Sequence, residues 1–368
     1  MKIAYLIQTH RNPKLLRRKI ESLSSENCAF FIHVDRKSNI NDFSSIKGPN
    51  VFFTEKRIPV YWGEYSLVEA ILILIEQALD GPETYDYFVL STGSDYPLKN
   101  KEYIHDFFDR NRGKEFISSI KMTNNSGYLM VQQVNTFRIP SSRPITRIAT
   151  RIAGQFGLIS SDYRRHLGSF DPYFGNCSWS LTRDACQYIL DFVGNNQSFC
   201  NYFRNTFAPD EMLFPTILSN SPFKARISRH LIYEDWSNHT TLLQGRGIRH
   251  WFSRRLSGKL GHPVLIGREH INFFEETGKV IIDDLFGSEE MLFARKFCDD
   301  NLVLVQQLEN VMKQKESRVN DRDAPQSSAG TSTFVQEKQR DRKLGHTSRE
   351  TQLTVPPGLW HLSRNCSE

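Results

Sequence analysis

Two pairs of neighbouring side chains stand out by type and spacing: the carboxylates Asp210 and Glu211, and the cations Arg295 and Lys296. Pro209 disfavours helical backbone at Ala208, and the apolar residues Met212, Leu213, Phe214, Ile217 and Leu218 follow the acids. This pattern predicts a helix start carrying two acidic side chains, where unpaired N–H groups favour negative charge. Adjacent helical residues point in different directions, so at most one of the two faces a given cleft. An ordinary cap with a dipole partner satisfies the same pattern. Arg295 and Lys296 sit inside the apolar run Met291–Phe297, and a surface basic pair is the alternative to a buried role.

The elements that must position these groups read as alternating strands and helices. Ile3–Ile7 is a short apolar run ending at His10, Pro13–Leu23 carries a basic helical pattern, and Ala29–Val34 is a second strand that stops at Asp35. Val51–Phe53 is a third, so the opening reads as a βαβ unit with a parallel sheet. Ligands of such sheets lie beyond the carboxyl ends of the strands, which predicts that His10 and Asp35 line one crevice. Ser66 and Glu69 match a capping box opening a helix through Leu67, Val68, Ile71, Leu72, Ile75, Ala78 and Leu79. A strand at Tyr85–Leu90 runs into a turn marked by Gly93 and Pro97, placing Asp95 at another carboxyl end. Further strands are predicted at Glu115–Ile120 and Leu231–Tyr233, with a helix from about Asp184 to Phe192.

The 368 residues, 39% hydrophobic and 12% aromatic, suit one large α/β domain or two smaller ones. The net charge of +6 favours phosphate-bearing ligands or an anionic membrane surface without implying nucleic acid. The six cysteines lack CxxC spacing and read as mostly free buried thiols, not a disulfide framework or zinc site. Met1 leads directly into a strand-like segment and no apolar run is long enough to span a bilayer, so the expectation is a cytoplasmic protein. Arg138–His166 reads as an excursion towards an acceptor or membrane, or as a solvated basic face, and Gly245–Lys259 as a mobile lid, a membrane-surface contact or a solvated loop. From residue 315 the chain turns polar, and 315–368 is expected to be a disordered tail behind a domain spanning 1–314.

Six segments in register resemble the core-2/I-branching β-1,6-N-acetylglucosaminyltransferase and peptide O-xylosyltransferase family. They are Phe31–Ser38, Val60–Leu67, Phe88–Leu98, Phe174–Leu181, Pro209–Phe214 and Leu292–Phe297. The resemblance implies a GT-A type α/β fold with a central, mostly parallel sheet flanked by helices. A donor half is expected over about 1–120 and an acceptor half over about 121–314. It also implies a UDP-sugar donor, inversion at the anomeric carbon and no cofactor or metal. Glu211 matches the family's catalytic base, and Arg295 and Lys296 match the basic pair that meets the departing diphosphate. His10, Asp35 and Tyr61 are then expected at the nucleotide, and Trp62 could stack there or pack in the core. Asp95 is expected in donor-sugar or turn contacts, Trp179 in the acceptor pocket or the core, and Asp210 beside the pocket as the cap. The family's signal anchor, stem and paired cysteines are not seen. The expected acceptor is therefore a glycan or lipid-linked saccharide of cell-surface polysaccharide synthesis, as in a bacterial-type member. Such a protein would be cytoplasmic, or peripheral at the inner face of the membrane. A metal-dependent GT-A transferase and a non-catalytic glycan- or nucleic-acid-binding protein on the same fold are the rivals. The one DxD sequence, Asp321-Arg322-Asp323, falls in the expected tail.

Overall fold

In the computed structural model, residues 1–122, 163–236 and 263–323 are described, with side chains to residue 315. Expectations for 138–162, 245–259 and 324–368 lie outside the described residues. The first strands follow from alternation. β1 (Ile3–Thr9) turns Ala4 and Leu6 to one apolar cluster, while Ile3, Tyr5 and Ile7 enter another on the opposite face. β2 (Cys28–Val34) and β4 (Tyr87–Thr92) divide their side chains in the same way. Buried on both faces, these strands read as continuous hydrophobic runs.

With β3 (Val51–Phe53), β6 (Glu115–Phe116), β9 (Trp179–Thr182) and β10 (Ile227–Ser228) they form a seven-stranded sheet ordered β10-β6-β9-β4-β1-β2-β3. Only β9 runs antiparallel to its neighbours, so the expected mostly parallel α/β sheet is what forms. A smaller sheet joins β5 (Asp95–Pro97), β11 (Ile232–Glu234) and β14 (Phe293–Arg295) in the order β11-β14-β5. Helix α1 (Pro13–Leu23) lays Leu15, Leu16, Ile20 and Leu23 on the core, with Lys19 buried on that same face.

Three expectations are corrected. Ser66 does not cap α2 (Ser66–Leu79): Tyr65 is already helical at φ −62°, so the Ser66 Oγ instead accepts from the Tyr61 N–H at 2.8 Å. Glu69 pairs with Arg204 at 2.7 Å rather than reaching back to the helix start. A division near residue 120 does not separate two halves, because β9 and β10 complete the sheet begun by β1–β4, and Met1–Arg322 forms one compact unit. The boundary at 314 falls inside the helix Leu302–Asp323, which also includes the Asp321-Arg322-Asp323 backbone. Lys315 donates from Nζ to the carbonyls of Phe274 at 2.6 Å and Thr277 at 2.7 Å. Five cysteines, Cys28, Cys177, Cys186, Cys200 and Cys298, are free thiols as expected. Among the described residues no helix is long and apolar enough to cross a membrane.

The Leu302–Asp323 helix buries Val305 and Leu308 against Ile271, Phe274 and Phe297. Leu308→Ala leaves a cavity there and should cost about 2–5 kcal/mol, read from the urea midpoint at unchanged slope. A loss below about 0.5 kcal/mol would show that this helix does not hold the domain.

Candidate active site

Strand register builds the centre of the site. Asp95 pairs with Arg295 across the antiparallel β5–β14 ladder, and Glu234 pairs with Arg295 across the parallel β11–β14 ladder. The three side chains therefore lie side by side on one face. Arg295 donates from Nε to Asp95 Oδ1 at 2.6 Å and from Nη2 to Asp95 Oδ2 at 2.9 Å, a bidentate pair. Its remaining hydrogens go to Glu234 Oε1 at 3.2 Å, Ser178 Oγ at 2.7 Å and the Cys177 sulfur at 3.0 Å. All five guanidinium N–H groups are thus taken by protein. The expectation that Arg295 grips the diphosphate directly is corrected, since no donor is left for it in this arrangement.

Asp95 is fully buried and also accepts from the Thr92 N–H at 2.6 Å and hydroxyl at 2.9 Å. Of the two expected contacts it makes the turn contact, and it has no exposed atom to offer a sugar. Burial alone would raise its pKa, but Arg295, Lys19 and the Thr92 N–H together hold the carboxyl below its usual range.

The acidic pair sits on its own short turn. Ala208 adopts a left-handed conformation (φ 51°, ψ 54°), and Pro209–Glu211 forms a single 3-10 turn. The chain then breaks at Met212 before the seven-residue helix Leu213–Ser219 begins. Asp210 and Glu211 do lie in the first turn of a helical element, but neither that element nor the following helix has a side-chain cap, so the capping role expected for Asp210 is corrected. The turn is fixed by its backbone instead. Ala208 N–H donates to the Gly63 carbonyl at 3.0 Å, and Gly175 N–H donates to the Glu211 carbonyl at 2.8 Å. Gly175 leaves no room for a Cβ, which would fall 1.9 Å from the Ser118 carbonyl oxygen. Asp210 is buried at 6% exposure, whereas Glu211 is half-buried and reaches solvent. Cys177 accepts from Arg295 and is acted on by both acids. Burial pushes its thiol up to about 12; Arg295 opposes this, and Glu234, Asp210 and Glu211 add to it.

The remaining predicted residues gather at the carboxyl ends of β1 and β2. Asp35 accepts from the Lys37 N–H at 2.9 Å, and the Lys37 ammonium lies 3.5 Å from the same carboxylate and 4.1 Å from the Tyr61 ring centroid. The His10 imidazole is lowered first by desolvation and then by Arg11, while Asp35 raises it and Lys296 and Lys37 lower it further. Lys296 therefore stands with His10, Asp35 and Lys37 at these strand ends, half-buried, one residue beyond the Arg295 clamp. Trp62 is 58% exposed and meets Phe207 edge-on at 5.4 Å, which removes it from the core. Trp179 is 2% exposed and packs on Phe214, so it belongs to the core and does not wall an acceptor pocket.

Sequence reasoning overlooked Lys37, Ser178, Glu234 and Lys19. Glu234 ends a strand and could have been found by the rule that selected Asp35. Lys19 sits at the i+4 position between Leu15 and Leu23, a charge in an apolar stripe. Among the described residues no group of three or more His, Cys, Asp or Glu side chains is arranged to hold a metal ion.

Asp95→Asn removes the charge that Arg295 faces. Leaving a buried guanidinium without its partner should cost about 3–5 kcal/mol at pH 7 in urea titrations. The Asp95 pKa is depressed on folding, so its contribution is present above the unfolded carboxylate value of about 3.9 and is lost as pH falls through the lower folded value. The gap between wild type and variant should accordingly narrow in acid. A constant gap down to the acid transition would contradict the charge-based reading.

Residues 3–256 match the family model described as Core-2/I-Branching enzyme. Xylosyltransferase 2 of Rattus norvegicus is 26% identical over 249 residues, covering 64% of this chain and 27% of that protein. Human β-1,3-galactosyl-O-glycosyl-glycoprotein β-1,6-N-acetylglucosaminyltransferase 3 is 22% identical over 259 residues, 67% of this chain and 54% of that one. The chain thus spans about a quarter to a half of the length of these curated relatives. The solved structure of mouse xyloside xylosyltransferase 1 aligns over 71% of this chain and 95% of that chain at 11% identity. Its TM-score is 0.32. With more than half of its length matched by the family model, the chain belongs to the core-2/I-branching enzyme family.

Proposed function

We propose that the protein is an inverting, metal-independent glycosyltransferase that moves a sugar from a UDP-sugar to a hydroxyl of a glycan or related acceptor. The observation that supports this reading is that the Cys177 thiol is acted on both by Arg295, the neighbour of Lys296, and by Glu211. Glu211 reaches the surface on a backbone-fixed turn, and Lys296 stands at the nucleotide end of the parallel strands. In the reaction Glu211 accepts the acceptor hydroxyl proton as that oxygen bonds to the anomeric carbon. The bond from that carbon to the β-phosphate oxygen breaks on the opposite face, and UDP leaves with the electron pair. Lys296 meets the growing charge on the phosphate, held in place by the Arg295 clamp behind it. His10, Asp35, Lys37 and Tyr61 bind the nucleoside end.

The names of the relatives favour UDP-xylose or UDP-N-acetylglucosamine as donor. The acceptor class, a glycan or lipid-linked saccharide of cell-surface polysaccharide synthesis, and work at the inner face of a membrane belong to the same proposal, the latter supported by the net charge of +6. UDP release from a donor panel, followed with and without saccharide acceptors, tests it.

Glu211→Gln keeps shape and removes basicity, so transfer should fall by roughly two to four orders of magnitude while UDP binding survives. Transfer near the wild-type rate would remove Glu211 from the mechanism. Lys296→Gln should weaken UDP binding about ten- to a hundredfold, the worth of one charge-assisted contact, with the fold intact. Arg295→Gln should lower stability by leaving Asp95 and Glu234 without their partner, and should also lower turnover because the clamp positions Lys296. Wild-type turnover should be unchanged in EDTA, and its loss there, restored by a divalent ion, would replace Lys296 with a metal.

A further inference from the structure

Beneath the Asp95–Arg295 pair lies a lysine that the proposed reaction does not use. Lys19 is wholly buried on the core face of α1. Its ammonium donates to the Ser91 hydroxyl at 2.7 Å and to the Thr92 carbonyl at 3.2 Å, both at the carboxyl end of β4. Four residues on, the chain reaches Asp95, whose carboxylate feels Lys19 from one side and Arg295 from the other. The intervening turn has no slack. Gly93 N–H donates to the Gln8 carbonyl at 2.9 Å, a Cβ on Gly93 would lie 2.3 Å from Thr9 Oγ1, and Phe297 N–H donates to the Ser94 carbonyl at 2.8 Å. Phe297 directly follows Lys296, so the turn that Lys19 holds also anchors the strand that presents Lys296.

We propose that Lys19 is a positioning residue for the diphosphate site: it fixes the 92–95 turn and balances the buried carboxylates so that Lys296 meets UDP in a net neutral setting. This role rests on the UDP-sugar reading above. The charges of Lys19, Arg295, Asp95 and Glu234 cancel when all four are ionised. Loss of the Lys19 proton leaves a net negative cluster directly behind the site of a polyanionic ligand.

The charged groups that face Lys19 are Asp95 from β5 and Arg295 from β14, while β4 offers only the polar Ser91 and Thr92. Burial lowers its pKa to about 8, with Asp95 opposing and Arg295 adding to the effect. The His10 pKa lies below its usual value and the Cys177 pKa is about 12, both outside the range in which Lys19 changes charge. Protonated Lys19 favours UDP, so affinity should be full at pH 7 and fall as pH rises through about 8.

UDP affinity measured calorimetrically in EDTA from pH 7 to 9.5 tests the role. Wild type should lose about tenfold across that range. Lys19→Met should bind about tenfold more weakly at pH 7 and show no alkaline limb. Lys19→Arg should recover the neutral affinity and also keep it at pH 9.5. Should Lys19→Met fail to fold, Ser91→Ala keeps the cation and removes one acceptor, which should move the alkaline limb to lower pH. Wild-type affinity and an unchanged limb in Lys19→Met, or an unmoved limb in Ser91→Ala, would overturn the proposal while leaving the UDP site standing. A wild-type protein that binds no UDP at any pH would remove the donor site itself, and this role with it.

Discussion

A guanidinium clamped between two carboxylates ties the candidate site together. Arg295 holds Asp95 in a bidentate pair on one side and Glu234 on the other, and reaches Ser178 and Cys177 at the start of β9. Those contacts join four segments that are distant in sequence. Replacing a buried ion cluster by apolar side chains of similar volume is often neutral or stabilising, so bulk stability is a poor explanation for its presence. What the cluster supplies is geometry. Its bonds need particular donor and acceptor positions, and they fix where β5, β11, β14 and the Asn176–Ser178 loop stand relative to one another.

The positions of Glu211 and Lys296 follow from that geometry. Asn176 donates to Glu234 Oε2 at 3.0 Å, and Gly175, one residue earlier, holds the Glu211 carbonyl through its N–H. Lys296 directly follows Arg295 on the other side of the clamp. A shift of the guanidinium would therefore displace Glu211 and Lys296, the proposed base and phosphate-binding cation, together. The parallel strands contribute the second constraint, because their carboxyl ends gather His10 and Asp35 beside Lys296.

Much of this was legible in the sequence, and the reasons are physical. The strands β1, β2 and β4 are continuous apolar runs and the α1 pattern has helical spacing, so burial alone dictates them. His10 and Asp35 follow from the strand-end rule. Residue type alone could not show how Arg295 is used. A guanidinium in an apolar run can bind phosphate or buried carboxylates, and only the register of β5 and β11 against β14 decides between them. Trp179 and Trp62 illustrate the same limit: one is in the core and the other is exposed, and composition treats them alike. The 3-10 turn at Pro209–Glu211 was missed because a left-handed Ala208, held by the Gly63 carbonyl, overrides the local helix signal. The helix Leu302–Asp323 crosses the expected domain boundary at 314 because Val311, Met312 and Lys315 still pack on the domain although its last turns are polar.

The central claim is that Glu211 and Lys296 act on opposite faces of an anomeric carbon without a metal. The most direct test is the stereochemical course of turnover. UDP-sugars carry an α-linked sugar, so an in-line displacement must deliver a β-linked product. Wild-type protein in EDTA would be given UDP-xylose or UDP-N-acetylglucosamine labelled at the anomeric carbon together with saccharide acceptors, and the product followed by NMR. The account requires a β anomeric signal appearing as UDP is released. An α-linked product, or no turnover until a divalent ion is added, would contradict it.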